Sequence, residues 1–560
     1  MSVEQICQDL INKNNTEEAL NELGTHLREE ALRSSSSVRS TIPQVLLLVE
    51  DYPMEVLRVL INYTADNDEN RFFLLSDDTA VSTFWALVLE MTLVSERISD
   101  LASRLTILIS QFVRAGEESK SKFIQGIDEK GIIEWIWTFY ATSVSKDIDS
   151  IEVPIEVLSD YASEFPQSIS KQQIILVLQG LRNLLDLDYD EDLEDALYCH
   201  TTFLYNITKV EDTTLEIPTD EIIDCIPKIP SDYKNCINSK RNLFAACGGV
   251  FSFISYDNFN NIGSSVSTIL KSTDGYAVAA SAISLGNCVH DIDSKIRLIA
   301  EVDAVSSIET VATTLLHCNF GDVVQLQAFH FFNNCMTEQL AKSILIPDNE
   351  AVLFRNTKII VDNYQYYKEV GAIYLKFLSK LVKNGMSNGV EIASFNSSWS
   401  YLNNLEEYCE VQMLILQSLC TSQVNNDEIR DTMRHSIKVL LDLKQTGVDA
   451  NELLTKLKTI AILLENASTK LALLFPDSDY QTQFLDPITQ FFTQVSRILL
   501  ESASTSDPRA QLAQAAVANN SKFVAAMVLR KITSNQSPYR AEMETLHEVC
   551  RNVLSTPPHH

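Results

Sequence analysis

The chain has 560 residues, of which 75 are acidic and 44 are basic, so its formal net charge is −31 at neutral pH. This balance argues against a nucleic acid partner, because phosphate binding requires clustered Lys and Arg. Only 15 Gly and 14 Pro are present, which is too few for the many tight turns of a sandwich or barrel. The chain is longer than a usual single-core domain, so we expect several domains or one quasi-linear array of helices.

The cysteines and the apolar segments of the sequence indicate the cellular compartment. The eleven cysteines form no C-x-x-C pair and are odd in number, which predicts a reducing compartment. Residues 1–15 lack a basic segment followed by an apolar core. No apolar run approaches the roughly 18 residues that a membrane-spanning helix requires. We therefore expect a cytoplasmic protein without an integral membrane segment.

An apolar frame around one variable position recurs every 38 to 49 residues along the chain. Five copies carry asparagine at that position, namely Asn62, Asn206, Asn287, Asn334 and Asn466. The copies between them carry Gln111, Asp160, Ala246, Lys380 and Ser418. A repeat of this length is typical of armadillo or HEAT units, which must stack on their neighbours to bury their apolar faces.

In chain order, the sequence predicts an N-terminal helical cap over residues 1–40, one continuous solenoid of armadillo-like repeats over 41–500, and a C-terminal repeat or cap over 501–560. Irregular loops are expected at residues 34–37, after Leu184, over the proline-containing segment 217–230, and from Glu501. The predicted fold class is all-α, an armadillo/HEAT-like right-handed superhelical solenoid.

The densest charge cluster of the chain begins shortly after Leu184. Its members are Asp186, Asp188, Asp190, Glu191, Asp192, Glu194 and Asp195. A calcium loop is disfavoured, because Glu191 stands where glycine is needed and Leu197 stands where a bidentate glutamate is needed. A solvated loop and a docking surface for a basic tail are the two remaining interpretations. A weaker acidic cluster has the same two interpretations: Asp66, Asp68, Glu69, Asp77 and Asp78.

The copy around Asn334 gives the clearest helical pattern. Apolar residues recur at three- and four-residue spacing after Asp322, which is a plausible helix N-cap, and a second helix is expected near Glu338. The preceding copy predicts a helix of small residues up to Asn287, a turn at 290–294, and two further helices over 295–302 and 304–316.

The Asn334 frame, with Asp322, Val324 and Ala328 upstream, resembles the third helix of armadillo repeats, and the Asn287 frame matches less closely. In that family these helices line a groove, and their asparagines pair with the backbone of an extended ligand. The resemblance implies a partner-binding groove lined by the five frame asparagines and His330, centred on Asn206, Asn287 and Asn334. A structural role, in which the amides bridge backbone groups, is the alternative.

Tryptophan is missing where importin-alpha adaptors place it, one turn before each asparagine, so binding of nuclear-import cargo is disfavoured. The residues at those positions are Arg58, Thr202, Ile283, His330 and Ile462. The four tryptophans lie elsewhere, and we expect them to pack in the core or between repeats: Trp85, Trp135, Trp137 and Trp399.

An acidic armadillo solenoid containing the segment LINYTADNDENRFFLL resembles the SmgGDS family of small-GTPase dissociation stimulators, which includes a related yeast bud-emergence protein. The resemblance implies a non-enzymatic scaffold that binds Rho- or Ras-type GTPases with polybasic, prenylated tails. Such a scaffold acts as an exchange stimulator or as a chaperone. Nucleotide release by this route needs no catalytic side chain, because the binder must only favour the open form of the GTPase.

Two other functions stay open at this point. One is a co-chaperone or assembly factor that holds a client such as a myosin head, a G-protein alpha subunit or a proteasome component. The other is an enzyme, although the chain contains no G-x-x-x-x-G-K-[ST], G-x-G-x-x-G, G-x-S-x-G or H-E-x-x-H motif. We therefore expect no catalytic residue, cofactor or metal, and the sequence leaves the oligomeric state open.

Overall fold

The computed structural model describes most of the chain, and every structural statement below concerns these residues. They are 2–95, 99–144, 148–187, 191–209, 218–251, 256–259, 262–318, 322–385, 395–402, 404–405, 410–421, 427–441, 450–465, 486–501, 508–531, 544–545 and 547–551. They form α-helices, short 3-10 turns and connecting segments, with no strand. The all-α prediction is confirmed.

The chain divides into two compact units, one formed by residues 1–264 and 272–284 and the other by residues 265–271 and 285–560. The helices up to the boundary are α1 (Val3–Ile11), α2 (Thr16–His26), α3 (Glu30–Arg33), α4 (Ser36–Leu46), α5 (Pro53–Thr64), α6 (Asp68–Ser76), α7 (Val81–Ser95), α8 (Ser99–Val113), α9 (Glu117–Glu129), α10 (Ile132–Ser143), α11 (Ile148–Glu164), α12 (Lys171–Leu185), α13 (Glu191–Ile207), α14 (Thr219–Cys225), α15 (Lys234–Phe251), α16 (Ile262–Lys271) and α17 (Gly275–Asn287).

The remaining helices belong to the second unit. They are α18 (Ile292–Val305), α19 (Ile308–His317), α20 (Asp322–Cys335), α21 (Glu338–Ile344), α22 (Glu350–Asn363), α23 (Lys368–Gly385), α24 (Asn396–Leu402), α25 (Glu410–Thr421), α26 (Asp427–Leu441), α27 (Ala450–Glu465), α28 (Asp486–Glu501) and α29 (Pro508–Lys531).

The helices of each unit stack in two rows, as expected of an armadillo-like solenoid. In the first unit one row runs through α2, α5, α8, α11, α13 and α15, each packed on the next, and a second row runs through α1, α4, α7 and α10. In the second unit the rows are α20, α23, α25, α27 and α29, and α19, α22, α24, α26 and α28. Each helix therefore contacts the helix one repeat away, which is the arrangement that the spacing of the frame predicts.

Nine of the ten frame positions lie on a regular set of helices. They are on α5, α8, α11, α13, α15, α17, α20, α23 and α25, and we call these helices the carrier helices. The tenth, Asn466, lies outside the described residues. The apolar frame thus marks one helix of each repeat.

Aromatic side chains fill the core between neighbouring repeats. Trp85 on α7 stacks on Phe123 of α9 at a centroid distance of 5.5 Å, and Trp137 on α10 meets Phe203 of α13 edge-on at 5.8 Å. Trp399 is almost fully buried. Large buried rings of this kind contribute strongly to the packing energy of a core. The expectation that these tryptophans pack in the core is confirmed for all three.

Local boundaries differ from the sequence expectation in four places, one of which is the expected loop at residues 34–37, where Ser36 and Ser37 already belong to α4. Helix α18 begins at Ile292 because Asp291 caps it in a reciprocal bond with Ser294. The same helix continues to Val305, past the break that was expected near residue 303. Segment 217–230, expected to be irregular because of its prolines, contains α14 and a 3-10 turn that begins at Ile226. Pro227 fits there because a first-turn position needs no hydrogen-bond donor.

No single helix in the described ranges has both the length and the apolar character needed to cross a bilayer. Helices 68–76 and 81–94 pass that test only as a pair, and they meet at an angle of 93°.

Candidate partner-binding surfaces

Two frame asparagines of the first unit bind the backbone of the preceding helix in the same row. Asn62 Nδ2 on α5 donates to the Gly24 carbonyl of α2 at 2.7 Å. Asn206 Nδ2 on α13 donates to the Ser159 carbonyl of α11 at 3.1 Å, while its Oδ1 accepts from Lys209 Nζ at 2.9 Å. Asn206 is also buried. These amides connect successive repeats, which supports the structural interpretation at both positions.

The frame residues of the second unit are more open. Asn334 on α20 donates to Oδ1 of Asn287 over a long 3.4 Å, and both side chains are half-buried. His330, one turn before Asn334, is half-buried too. Burial lowers the pKa of the His330 ring, and the charge of Lys376 lowers it further. The predicted groove residues Asn287, Asn334 and His330 therefore share one accessible surface.

The predicted acidic docking residues are only partly described by the structure. Asp188 and Asp190 lie outside the described residues, and so do the side chains of Glu191 and Asp192. Glu194 is half-buried, and its carboxylate accepts from the Asn235 backbone N–H at 2.7 Å, where it caps α15. The exposed members of the cluster are Asp186, at the end of α12, and Asp195, on α13.

A cavity of about 500 Å³ opens between α8, α11 and α13, and we call it the acidic groove. Its lining residues are Arg114, Glu152, Glu156, Ser159, Asp160, Asp195, Tyr198, Cys199 and Thr202. It contains Asp195 from the predicted cluster, and Ser159 carries the carbonyl that Asn206 binds. The sequence pattern therefore located one edge of this surface.

Two cations neutralise part of the acidic groove. Arg114 makes a two-pronged contact with Glu156, with nitrogen to oxygen distances of 2.8 Å, and lies 3.5 Å from Glu152. Lys120 pairs with Asp160 at 2.5 Å. Four carboxylates against these two cations leave the groove negative, and Asp195 forms no ion pair within the described part of the chain.

The negative charge of the acidic groove raises the pKa values of two side chains. Burial raises the pKa of the Asp160 carboxyl against the effect of Lys120, and Glu156 and Glu117 raise it further. Burial likewise raises the pKa of the Cys199 thiol, and the carboxylates of Glu156 and Asp160 add to that rise. A cation entering the groove would relieve this repulsion, which is a physical reason to expect a basic ligand.

A buried polar contact supports the helix beneath the acidic groove. His200 on α13 is fully buried, and its Nδ1 donates to the Ala196 carbonyl at 2.7 Å. Its Nε2 then accepts from the Tyr140 hydroxyl of α10 at 2.8 Å. Burial lowers the pKa of the ring to about 4. Gly180 on α12 leaves room for this pair, because a Cβ there would lie 2.8 Å from Nε2.

A second cavity, of about 720 Å³, lies beside α6 and α9 and includes part of the weaker acidic cluster. Its lining includes five carboxylates, and three of them pair with a cation: Asp68 with Arg71, Glu69 with Arg39, and Glu118 with Lys122, which also lies 4.0 Å from the centre of the Phe72 ring. Both cavities are therefore acidic. We take the acidic groove as the candidate for a basic partner because it lies on the carrier helices α11 and α13 and includes Asp195 of the predicted cluster.

The sequence did not point to Glu152, Glu156 or Asp160 as groove residues. They are spaced four residues apart on α11, on one face of the helix, and Asp160 is itself a frame position. Extending the search one and two turns back from every frame residue, and not only from the asparagines, would have found them. The same search finds Lys376, one turn before Lys380 on α23.

No group of three or more His, Cys, Asp or Glu side chains in the described ranges has an arrangement that could hold a metal ion. The buried thiols also differ from reactive ones. Burial raises the pKa of Cys247, Cys288 and Cys335, so their thiolate forms are suppressed.

The stacked repeats and the charged surface between carrier helices define the class of protein, an α-solenoid scaffold that binds other proteins. The chain belongs to the BEM4 family. The model of the BEM4 N-terminal domain matches residues 2–208, and that of the BEM4 C-terminal domain matches residues 220–553. A search of curated proteins finds no significant match.

Several solved structures resemble the chain at low identity. A structure from work on the interaction between cadherin and beta-catenin has 10% identity and a TM-score of 0.47, with 99% of this chain and 100% of that chain covered. An engineered protein has 15% identity and a TM-score of 0.45, with 78% and 98% covered. A designed armadillo repeat protein has 14% identity and a TM-score of 0.28, with 44% and 100% covered.

Proposed function

We propose that this protein binds small GTPases of the Rho or Ras type through their polybasic, prenylated tails. It acts as an exchange stimulator or a chaperone, without catalysing a covalent step. The observation that carries the proposal is the acidic groove, in which Glu152, Glu156, Asp160 and Asp195 converge on one face of two carrier helices. Membership of the BEM4 family supports it, as does the resemblance to GTPase dissociation stimulators.

The groove suits a flexible basic segment in two ways. Its carboxylates attract Lys and Arg over several ångströms, which raises the rate of encounter. The exposed ring of Tyr198 provides an apolar surface on which the methylene stem of a lysine or arginine can lie. The folded body of a GTPase requires a wider contact than this cavity, and the rows of helices beside it offer that area.

Binding to purified Rho, Ras and Rap proteins tests the proposal, with tail-intact and tail-deleted forms of each. The decisive variant is Asp195→Lys with Glu152→Lys, because Arg114 keeps its contact with Glu156. Glu50→Lys with Asp51→Lys is the matched control, since both side chains are exposed in the same unit and the change in charge is equal. We expect the groove variant to weaken binding of the tailed GTPase at least about tenfold, and the control to change it less than about twofold.

Fluorescence of a labelled guanine nucleotide, followed as it leaves the GTPase, separates the two activities. Faster release in the presence of the protein indicates an exchange stimulator, and binding without faster release indicates a chaperone. Tail-dependent binding should weaken steeply with salt, whereas holding of an unfolded client through apolar surface should not. If the protein binds none of these GTPases, with or without the tail, the proposal is wrong.

A further inference from the structure

Lysines of the second unit gather around the carrier helix that holds Asn334. Lys376, Lys380 and Lys383 recur at four- and three-residue spacing, so they lie on one face of α23, which packs on α20. Lys295 comes from α18, which also packs on α20. We call these four lysines, with His330, the basic cluster.

The packing of α20 on α23 fixes the position of the cluster. Lys380 Nζ donates to the Asn333 carbonyl at the end of α20 at 2.5 Å. Asn333 Nδ2 in turn donates to the Ile373 carbonyl of α23 at 3.0 Å. The two helices are therefore joined at the same turn in which Asn334 points its amide toward Asn287.

The lysines of the basic cluster lack acidic partners. Three other lysines of the second unit pair with a carboxylate one turn away: Lys342 with Glu338, Lys358 with Asp362 and Lys456 with Glu452. Among the residues that the structure describes, none of Lys295, Lys376, Lys380 and Lys383 forms a salt bridge. Unpaired positive charge is unexpected in a chain with a net charge of −31.

The mutual repulsion of these lysines is visible at Lys380. Partial burial lowers the pKa of its ammonium, and the charges of Lys376, Lys295 and Lys383 lower it further. Glu301, on the same helix as Lys295, is a carboxylate of this region whose charge acts on Cys288. Asp291 and Asp293 of α18 and Glu369 of α23 are further carboxylates of these helices. The charged groups that lower the pKa of Lys380 are nevertheless the three other lysines, so an anion placed among them would relieve their repulsion.

Apolar and hydrogen-bonding groups accompany the charges. Ile292 and Ile296 lie one turn apart on α18 beside Lys295, with 73% and 56% of their surfaces exposed. The Asn334 amide is half-exposed, and among the described residues its one hydrogen bond is the long 3.4 Å contact given above. An extended peptide presents backbone amides and alternating side chains to such a surface, whereas a free phosphate would use only the charges.

We propose that the basic cluster is a docking surface for an extended acidic peptide segment of a partner protein. Its Asp or Glu side chains meet Lys295, Lys376 and Lys383, an apolar side chain rests on Ile292 and Ile296, and its backbone binds the Asn334 amide. The net negative charge of the whole chain favours a short segment over a membrane or a nucleic acid. Those large polyanions would also meet the acidic surface beyond the roughly 8 Å over which salt screens charge.

The test uses the full chain and fluorescein-labelled peptides of roughly a dozen residues. One probe alternates Glu with Ser and carries one Leu, and its partner has Lys in place of every Glu. The variant Lys376→Glu with Lys383→Glu reverses two exposed charges of the basic cluster. The control Lys130→Glu with Lys228→Glu makes the same change in net charge at two exposed sites of the first unit.

The acidic probe should bind the unaltered chain, and the Lys376→Glu, Lys383→Glu variant should weaken that binding at least about tenfold, whereas the control should change it less than about twofold. Ile296→Ala should weaken it about threefold to tenfold without changing its salt dependence, because the lost contact is apolar. Asp195→Lys with Glu152→Lys should leave acidic-probe binding at least as tight, which separates this surface from the acidic groove.

Acidic-probe binding that survives reversal of Lys376 and Lys383 would overturn the proposal. So would the absence of acidic-probe binding to the unaltered chain. Phosphatidylserine vesicles and a single-stranded oligonucleotide serve as competing anions. If either binds in a way that depends on Lys376 and Lys383 while the acidic peptide does not, the surface recognises another class of polyanion and the peptide proposal is wrong.

Discussion

The acidic groove and the basic cluster occupy carrier helices of the same kind and carry opposite charge. In the acidic groove the thiol of Cys199 experiences the carboxylates of Glu156, Asp160 and Asp195. In the basic cluster the ammonium of Lys380 experiences three other lysines. A net charge of −31 therefore describes neither surface. Repeats that share a backbone can present different partners with different fields, because the residues flanking each frame position are free to vary.

The largest expected effect is a loss of folding stability at low pH. It concerns the acidic groove, which has the buried His200 beneath it. The pKa of His200 is lowered to about 4, below the unfolded value of about 6.5. Between these two values the unfolded chain binds a proton that the folded chain does not, so stability falls as pH falls through that window. The change corresponds to about 3 kcal/mol in the free energy of unfolding.

Urea denaturation at pH 7 and at pH 5 measures about 2 kcal/mol of this change, because part of the window lies below pH 5, and hydrogen exchange of peptides from α13 and α20 locates it. His200→Gln should flatten the pH dependence relative to the unaltered chain. Tyr140→Phe is the control, because it removes the hydroxyl partner of His200 and keeps the titrating ring. An equal pH dependence in the chain with and without His200 would show that this buried ring does not limit the stability of the acidic groove.

The next largest effect is the loss of stability when a methyl group is added at a close helix contact behind each surface. A Cβ at Gly180 would meet the Tyr140 hydroxyl and lie 2.8 Å from His200 Nε2. A Cβ at Gly286 would lie 3.1 Å from Phe331 Cα. Gly180→Ala should cost about 2 kcal/mol, because it displaces a buried hydrogen bond. Gly286→Ala should cost about 1 kcal/mol, because the backbone of α20 must shift by only a few tenths of an ångström.

Thermal and urea unfolding of the two glycine variants give the comparison directly. Equal losses would show that both surfaces are supported by packing of similar tightness. A gain in stability for Gly180→Ala would contradict the structure at the contact between α12 and α13.

The smallest effect concerns the frame asparagines themselves. Asn206→Ala should lower the free energy of unfolding by about 1–2 kcal/mol, because it leaves a buried carbonyl without its donor. Asn334→Ala should lower it by less than about 0.5 kcal/mol, because its contact is long and half-exposed. Acidic-probe binding should weaken only for Asn334→Ala. A double change of Asn287 and Asn334 that lowers stability and leaves partner binding intact would favour the structural interpretation for the second unit as well.

The fold could be predicted from the sequence because repeats that stack on one another bury apolar residues at a regular spacing. Asn62, Asn206 and Asn334 stand on carrier helices for that reason, whatever their side chains bind. The two charged surfaces were not predicted from the sequence. Glu152 and Lys376 become part of a charged surface only when neighbouring repeats bring other residues beside them. His200 and Tyr140 are 60 residues apart, and no local spacing connects a buried ring with a hydroxyl three helices earlier in the chain.

The central claim is that one scaffold carries two docking surfaces of opposite charge, and a crossed binding experiment tests it most directly. The acidic and basic probe peptides are titrated against the unaltered chain, the Asp195→Lys, Glu152→Lys variant and the Lys376→Glu, Lys383→Glu variant. The first variant should weaken only the basic probe and the second only the acidic probe, each at least about tenfold. If both variants change both probes equally, net charge alone governs binding and the account of two separate surfaces is contradicted.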